Sequence, residues 1–421
     1  MDRIIIENVR CFRGRHEVPL APVTFLVGEN STGKSTFLAL TRIAWDVAMR
    51  GKVSFNEEPF LLGAYDQIAS SKGKRRSTSF LIGLSREWAK GSTSLAASTA
   101  SEFVSYRSQP ALKQWRFDTP PFSLLAEYGE EEKLSSLKGD IPSGKHVLDA
   151  KSLDFFPGPM SPRRAVQLLA GSGSPASLED WKKIYRRAKL WEESGGTRPY
   201  AFAPIRTRPL RTYDPVKEVI DPEGGHVPMI LAGFRHRDEE TWRKLRAALD
   251  EFGNASGLFG KVDVRRLGES EGDPFQVQVV IDGMAVNLVD VGYGVSQILP
   301  ILVDVLRGES GGTFLLQQPE VHLHPRAQAA LGSFLATLAK EQGKRFLVET
   351  HSDHMVDRIR MDLRDKKYGL RPEDVQILYF ERKSGGMKIH PITFDDYGNL
   401  QDVPLSYRQF FLQEERRMLG I

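Results

Sequence analysis

The stretch that decides the fold reads Gly28-Glu29-Asn30-Ser31-Thr32-Gly33-Lys34-Ser35 and is followed by Thr36. It matches the pattern G-x-x-x-x-G-K-[ST], follows an apolar run at residues 23–27, and precedes the helical periodicity of residues 37–44. Strand, loop and helix in this order form the context in which the pattern makes a phosphate-binding loop. Inward-facing N–H groups and the helix N-terminus both favour a polyphosphate there. The sequence therefore predicts a nucleotide-binding site.

Each position of this loop has an expected part in binding. Lys34 is expected to reach the β- and γ-phosphates, and the hydroxyl of Ser35 is expected to bind Mg²⁺. The predicted nucleotide-binding residues of the loop are Asn30, Ser31, Thr32, Gly33, Lys34, Ser35 and Thr36.

Composition restricts the functional class. The chain has 421 residues, with 58 Lys and Arg against 54 Asp and Glu, and a net charge of +4. This length predicts two or three domains, and the slightly basic balance permits nucleic-acid contact without arguing for it. Cys11 is the only cysteine, which excludes disulfides and a cysteine metal cluster. No apolar run approaches the roughly 18 residues needed to cross a bilayer, so we expect a cytoplasmic protein with no membrane contact.

Hydrophobic periodicity predicts the elements around the loop. Two or three strands are expected in residues 3–28, a helix at 34–49 and antiparallel strands at 77–117, whereas residues 118–177 give few signals. Further helices are expected at 178–193 and 239–252, and a hairpin around Asp282-Gly283. The first of these helices has a basic face, which is either a solvated surface or a contact for DNA or a partner. Heptads for a long coiled coil are missing, and we expect no appended nuclease domain, because roughly 40 residues follow Phe380.

A second group of motifs follows two apolar strands. Residues 312–316 lead into Gln317-Gln318-Pro319-Glu320-Val321-His322-Leu323-His324-Pro325, and residues 345–348 lead into Glu349-Thr350-His351-Ser352. A helix is predicted between them, at about residues 326–340. Strand, helix and strand at this spacing form a parallel crossover, which places both clusters at the same sheet edge as the phosphate loop.

A glycine-containing segment, Asp290-Val291-Gly292-Tyr293-Gly294-Val295-Ser296-Gln297, precedes an apolar helix expected at residues 298–306. Such a segment offers N–H groups and a helix dipole to a second anion. The alternative is an ordinary helix cap with a tight turn.

Together these segments resemble the ABC-type ATPase heads of the SMC, RecF and OLD group, over residues 1–70 and 285–395. The resemblance implies an α/β fold: a P-loop ABC-type ATPase head with a mixed sheet, an antiparallel β lobe, a helical insertion and no long coiled coil. The expected division is residues 1–70 as the first half of the head, 71–235 as an inserted lobe, 236–395 as the second half, and 396–421 as a helical tail.

The resemblance also assigns roles. It makes Gly292–Gln297 the signature motif, Leu315–Glu320 the Walker B strand, His322–Pro325 the D-loop and His351 the switch histidine, with Gln67 at the Q-loop. It implies a homodimer or larger homo-oligomer in which ATP and Mg²⁺ lie between one subunit's phosphate loop and the other's signature motif. The implied additional nucleotide contacts are Gly294 and Ser296, the metal ligands are Ser35, Gln317 and Gln67, and the catalytic residues are Glu320, Gln318 and His351.

One departure from the family pattern is informative. The Walker B strand usually ends in two carboxylates, but here it ends in Gln317 and Gln318. Glutamine cannot take a proton, and loss of a general base costs roughly 10²–10⁴ in rate. Either Glu320 supplies the carboxylate, with Glu349 as a second candidate, or the protein hydrolyses ATP slowly and works as an ATP-gated clamp.

Within the group the chain looks most like stand-alone ATPases of phage-defence operons, such as the PtuA-like ATPase of Septu systems. The segments that carry this resemblance are residues 204–213, 294–297, 317–325, 396–399 and 407–411. It implies control of a separate effector, a nuclease, in antiviral defence. Two alternatives remain open: a RecF-like repair ATPase that clamps DNA, and a nucleotide-gated scaffold. A zinc site formed by His322, His324, His351 and His354 is disfavoured, because these residues lie on different loops without cysteine support.

Overall fold

The computed structural model describes residues 2–73, 75–90, 93–149, 160–172, 177–215, 220–270, 272–407 and 416–419. In chain order the strands are β1 (Asp2–Val9), β2 (Phe12–Leu20), β3 (Val23–Gly28), β4 (Asn56–Glu57), β5 (Phe60–Leu61), β6 (Ser71–Lys72), β7 (Arg75–Arg76), β8 (Ser79–Lys90), β9 (Thr93–Tyr106), β10 (Gln109–Thr119), β11 (Phe122–Tyr128), β12 (Leu134–Ile141), β13 (Gly144–Asp149), β14 (Tyr200–Ala201), β15 (Lys261–Arg266), β16 (Phe275–Ile281), β17 (Met284–Asn287), β18 (Thr313–Gln317), β19 (Arg345–Glu349), β20 (Val375–Lys383), β21 (Gly386–Phe394) and β22 (Leu400–Gln401).

The helices are α1 (Lys34–Met49), α2 (Tyr65–Ile68), α3 (Pro162–Gly171), α4 (Leu178–Glu193), α5 (Val227–Arg237), α6 (Glu239–Ser256), α7 (Tyr293–Arg307), α8 (Pro325–Gln342) and α9 (Asp353–Arg364). Helices were predicted close to the positions of α1, α4, α6 and α8, whereas α2, α3, α5 and α9 were not predicted. Ser177 and Asp238 cap α4 and α6 through their side chains, as residues of these types do at helix N-termini. Helix α7 begins at Tyr293, earlier than expected, so Gly294 and Ser296 lie inside its first turn instead of before it.

The phosphate loop follows a strand inside a mixed sheet. Among the described residues, the sheet order is β14-β18-β19-β3-β20-β21-β22. The strands from β14 to β20 are parallel, and β21 and β22 are antiparallel additions at one edge. The parallel crossover predicted from β18 through α8 to β19 is confirmed, so Gln317 and Glu349 end neighbouring strands at the same edge as Gly28.

A second, antiparallel sheet has the order β13-β12-β11-β10-β9-β8-β1-β2 in the described part of the chain. It confirms the predicted antiparallel strands and extends them to Asp149, beyond the limit that the sequence indicated. Strand β1 lies between β2 and β8, so this lobe includes residues 2–20 as well as residues after 71. The proposed domain division remains a prediction. Its first boundary, at residue 70, separates strands that belong to the same sheet.

Asp2 joins the two sheets. Its carboxylate is buried and accepts hydrogen bonds from Arg86 on β8 at 2.6 and 2.8 Å, and also from Arg345 on β19. Helix α1 fills the space between the sheets and contributes Phe37, Leu40 and Ile43 to one apolar cluster. Helices α5 to α9 cover the opposite face of the parallel sheet in a second cluster. The alternation of strand side chains explains the two faces: Leu347 enters the first cluster, and Phe346 and Val348 enter the second.

The predicted fold class is confirmed. A mixed sheet carries the phosphate loop, an antiparallel lobe packs beside it, and α3 and α4 form the helical insertion. The longest helices in the described segments, α6 and α8, have 18 residues each, so these segments contain no long coiled-coil arm. Within the same segments, no helix combines the length and apolar character needed to cross a membrane. Of the predicted helical tail, residues 408–415 and 420–421 lie outside the described residues, Leu400–Gln401 is a strand, and residues 416–419 are helical.

Candidate nucleotide-binding site

Two glycines allow the phosphate loop to turn tightly. Gly28 has a φ of 151° and Gly33 a φ of 93°, conformations that side chains disfavour. A Cβ atom on Gly28 would lie 2.6 Å from the carbonyl oxygen of Phe380, and one on Gly33 would lie 2.5 Å from Sγ of Cys11. Neither position can hold a larger residue without moving its neighbours, so steric contacts explain why the motif has glycine at both positions.

Lys34 is folded back over the loop that it belongs to. Its Nζ donates to the carbonyl oxygens of Gly28 at 2.9 Å and Glu29 at 2.8 Å. Burial lowers the pKa of Lys34, and the negative charges of Glu349 and Glu320 oppose that shift. The ammonium therefore lies inside the loop with two carboxylates nearby, where it is available to a phosphate that displaces the carbonyl contacts.

The hydroxyl of Ser35 donates to Oε2 of Glu349 at 2.7 Å. Beside it, Arg10 reaches from the end of β1 to Oγ1 of Thr36 at 3.2 Å and to the carbonyl oxygen of Leu62 at 2.9 Å. A cavity of about 280 Å³ lies over this group, lined by Arg10, Cys11, Ser31, Thr32, Gly33, Lys34, Ser35, Thr36 and Glu349. Of the predicted loop residues, only Asn30 is missing from the lining; it is exposed at the loop tip.

Gln317 and Gln67 are turned away from this cavity. Nε2 of Gln317 donates to the carbonyl oxygen of Phe202 at 3.1 Å, because a buried amide needs an acceptor and the edge strand provides one. Oε1 of Gln67 accepts the N–H of Ala64 at 2.9 Å and so caps α2. The structure therefore does not place either predicted metal ligand at the hydroxyl of Ser35. That position is taken by Glu349.

Gln318 lies at a sharp turn after β18. Its φ is 43°, and its N–H donates to the carbonyl oxygen of Glu349 at 2.9 Å. This turn redirects the chain so that Glu320 returns toward the strand ends. The side chain of Gln318 is half-buried there.

Glu320 is the buried carboxylate of this region. Its Oε1 accepts the backbone N–H of His351 at 2.7 Å, while Oε2 is buried and has no partner among the described residues. Burial raises the pKa of Glu320, and the hydrogen bond from His351 and the charge of Arg206 oppose the rise. Partial burial and the charge of Lys34 lower the pKa of the His351 imidazole. The predicted catalytic residues Glu320 and His351 are thus brought together beside Lys34.

Gly294 and Ser296 lie apart from the phosphate-loop cavity. A Cβ atom on Gly294 would lie 2.8 Å from the carbonyl oxygen of His322, so this first turn of α7 packs against the predicted D-loop. Oγ of Ser296 donates to the carbonyl oxygen of Tyr293 at 3.0 Å, and the ring of Tyr293, 52% exposed, lies against His322. Neither predicted residue lines the cavity that contains Lys34 in the same subunit.

Sequence reasoning missed Arg206, which lies in the arginine- and proline-containing loop at residues 203–213. Its guanidinium is buried and donates to the carbonyl oxygen of Gln317 at 3.3 Å, while its backbone N–H donates to Oε1 of Gln297 on α7. Burial lowers the pKa of Arg206 to about 10, against the opposing charge of Glu320. The sequence shows three arginines in this loop, but no local pattern indicates that Arg206 is the buried one.

The oxygen atoms of Ser35 and Glu349 are suitable ligands for a Mg²⁺ ion that is bound together with ATP, but they are too few to hold a metal ion by themselves. A hydroxyl and a carboxylate are the hard oxygen ligands that Mg²⁺ takes together with substrate phosphates. Within the described residues, no group of three or more histidine, cysteine, aspartate or glutamate side chains is arranged to hold a metal ion.

Comparisons with known proteins agree with an ATPase site. Residues 235–356 match the AAA ATPase domain model, a range that includes Gly294, Glu320 and His351. No curated protein matches the chain significantly.

Three solved structures are similar at low identity. The first is an Smc head bound to the C-terminal winged-helix domain of ScpA, with a TM-score of 0.47 and 8% identity over 93% of this chain and 97% of that chain. The second is a Pyrococcus furiosus Smc head with an extended coiled coil, with a TM-score of 0.42 and 9% identity over 99% of this chain and 100% of that chain. The third is an SMC head from Thermotoga maritima, with a TM-score of 0.39 and 12% identity over 92% of this chain and 97% of that chain. At TM-scores below 0.5, these likenesses do not bear on the function of this chain. The phosphate loop and the matched segment together show that the protein carries an ATPase domain.

Proposed function

We propose that this ATPase binds ATP with Mg²⁺, dimerises around the nucleotide and uses hydrolysis to reopen the dimer. The observation that carries the proposal is the separation of two anion-binding elements within one subunit. The phosphate loop lines one cavity, whereas the first turn of α7 packs against His322 and exposes Tyr293. N–H groups at a helix N-terminus such as this one suit a phosphate supplied by a second subunit.

The proposed chemistry assigns a role to each of the predicted residues. Lys34 binds the phosphates, and Glu320 takes a proton from the water whose oxygen attacks the γ-phosphorus while the bond to the β-phosphate oxygen breaks. The unpartnered Oε2 of Glu320 is the atom available for that proton. His351 and Gln318 orient the water. Mg²⁺ supplies charge neutralisation when it is bound with ATP.

ATP binding then drives association because the ligand contacts both subunits only in the closed dimer. A ligand that binds one state better shifts the population toward that state. The closed dimer passes the nucleotide state to a separate effector, a nuclease, in anti-phage defence. Support for this last step is the resemblance to stand-alone defence ATPases, carried by residues 204–213 and 317–325.

A DNA-clamping role is the second candidate, and the observation that favours it is the basic face of α4. Lys182, Arg186 and Lys189 are exposed at helical spacing around a groove between α3 and α4 that includes Tyr185. DNA that stimulates hydrolysis, with an effect that salt removes, would support this role. A third candidate, a nucleotide-gated scaffold without turnover, follows from Gln317 and Gln318.

One set of measurements tests the proposal. The molar mass in solution is measured with and without ATP for the wild type, Lys34→Ala and Glu320→Gln. We expect ATP to convert monomer to dimer in the wild type, the dimer to persist longest in Glu320→Gln, and Lys34→Ala to stay monomeric. A wild type whose mass does not respond to ATP contradicts the dimer proposal. Phosphate release in the same samples separates an ATPase from a scaffold.

A further inference from the structure

The phosphate-loop serine has an acidic partner on an unexpected strand. Ser35 donates to Oε2 of Glu349 at 2.7 Å, and Glu349 is only 5% exposed. In P-loop NTPases this serine or threonine binds Mg²⁺ together with a carboxylate on the Walker B strand. Here the carboxylate beside the hydroxyl ends β19 instead of β18.

The Walker B position cannot take that role in this arrangement. The amide of Gln317 is held by the carbonyl oxygen of Phe202, and the backbone oxygen of Gln317 accepts from Arg206. Gln317 therefore points toward the edge strand β14 and not toward Ser35.

The sheet order explains how Glu349 replaces it. Strand β19 lies between β18 and the phosphate-loop strand β3, with Glu349 paired to Gln317 on one side and to Leu26 on the other. The acid thus moves one strand closer to the loop, and it lines the same cavity as Lys34 and Ser35. We infer that Glu349 is the protein carboxylate of the Mg²⁺ site that accompanies ATP, in place of Gln317.

This inference rests on the proposed ATP binding and adds a consequence for charge. Glu349 lies near Lys34, where the phosphates of ATP are expected. Without a divalent cation, the carboxylate repels a triphosphate of the same sign; with Mg²⁺ between them, it attracts the complex. Glu349 therefore makes the site select Mg²⁺-ATP over metal-free ATP.

The test compares nucleotide affinity in Mg²⁺ with affinity in EDTA, using a fluorescent ATP analogue that is not hydrolysed. Glu349→Gln keeps an oxygen that can accept from Ser35 and removes the charge. We expect its affinity in Mg²⁺ to fall by about 10–100-fold, the usual cost of altering a metal's protein partners. Its affinity in EDTA is expected to equal or exceed that of the wild type. Mn²⁺ binding in the presence of the analogue, followed by electron paramagnetic resonance, gives a second measure of the same loss.

Two matched variants complete the experiment. Gln317→Glu restores an acid at the usual position, and Glu320→Gln neutralises the neighbouring buried carboxylate. The inference predicts that neither changes the ratio of affinities in Mg²⁺ and EDTA as Glu349→Gln does. An unchanged ratio in Glu349→Gln, or a ratio raised by Gln317→Glu alone, overturns the inference. Equal weakening in both buffers marks a packing defect and also overturns it. A wild type that binds no nucleotide in either buffer contradicts the proposed function instead.

Discussion

The backbone N–H of His351 donates to Oε1 of Glu320, across 2.7 Å and between two loops that follow neighbouring strands. The contact fixes one carboxylate oxygen and leaves the other, Oε2, buried without a partner in the described part of the chain. A buried acceptor that lacks a donor costs free energy, so such atoms commonly mark sites that bind water or substrate. Glu320 is therefore oriented by the loop that carries His351, the predicted switch histidine.

The first prediction concerns turnover. Glu320→Gln should lower kcat by roughly 10²–10⁴, because glutamine keeps the acceptor for His351 but cannot take a proton. ATP affinity should stay close to that of the wild type. Phosphate release under single-turnover conditions measures the effect, with the exposed Glu341→Gln on α8 as the control. Wild-type turnover in Glu320→Gln would remove Glu320 from the mechanism.

The second prediction concerns pH. Burial raises the pKa of Glu320 above its usual value of 4.5, so the carboxylate is protonated at pH values where an exposed glutamate is ionised. The base form is lost as the pH falls through this raised pKa, and the rate should decline on the acidic side above pH 4.5. The pH profile of kcat checks this. If the residual activity of Glu320→Gln shows the same acidic limb, another group is responsible.

Arg206 provides the third prediction. Its positive charge opposes the rise in the pKa of Glu320, so Arg206→Met should move the acidic limb of the kcat profile to higher pH. Turnover should also fall, because the hydrogen bond from the guanidinium to the carbonyl oxygen of Gln317 is lost, whereas the backbone contact with Gln297 stays. Arg208→Met, at an exposed position of the same loop, is the matched control. A reduced rate with an unshifted limb would indicate that Arg206 acts only through packing.

The fourth prediction compares two glycines of the predicted signature motif. Gly294→Ala places a Cβ atom 2.8 Å from the carbonyl oxygen of His322, an overpacking that costs about 1–3 kcal/mol or displaces the predicted D-loop. Gly292→Ala places its Cβ in open space at an ordinary φ of −60°. We expect ATP-dependent dimerisation to be lost in the first variant and kept in the second. Light scattering with ATP, in a Glu320→Gln background, gives the comparison; equal dimerisation by both variants would contradict it.

The sequence was sufficient for the parts of the fold that local patterns determine. The apolar run before Gly28, the helix after Lys34 and the crossover ending at Glu349 follow from periodicity and spacing alone. Strand β11 was missed, although Phe122, Leu124, Ala126 and Tyr128 alternate inward, because it lies in a Pro-, Gly- and Ser-rich segment.

The directions of individual side chains were not predictable. Whether Gln317 or Glu349 faces Ser35 depends on the order of strands β18, β19 and β3 in the sheet and on the left-handed turn at Gln318. The burial of Arg206 depends on Gln297 and Gln317, which are about 90 and 110 residues away in the chain. Such contacts exist only once the sheet has assembled, so no local pattern announces them.

Asp2 has a mechanical consequence. Its carboxylate accepts hydrogen bonds from Arg86 in the antiparallel sheet and from Arg345 in the parallel sheet. Removing either arginine would leave the buried negative charge of Asp2 less well compensated. A sliding of one sheet over the other would break these contacts, so we expect the two sheets to move together as one rigid body. If ATP drives a motion as proposed, whole subunits would then move relative to each other, and the two sheets within a subunit would not.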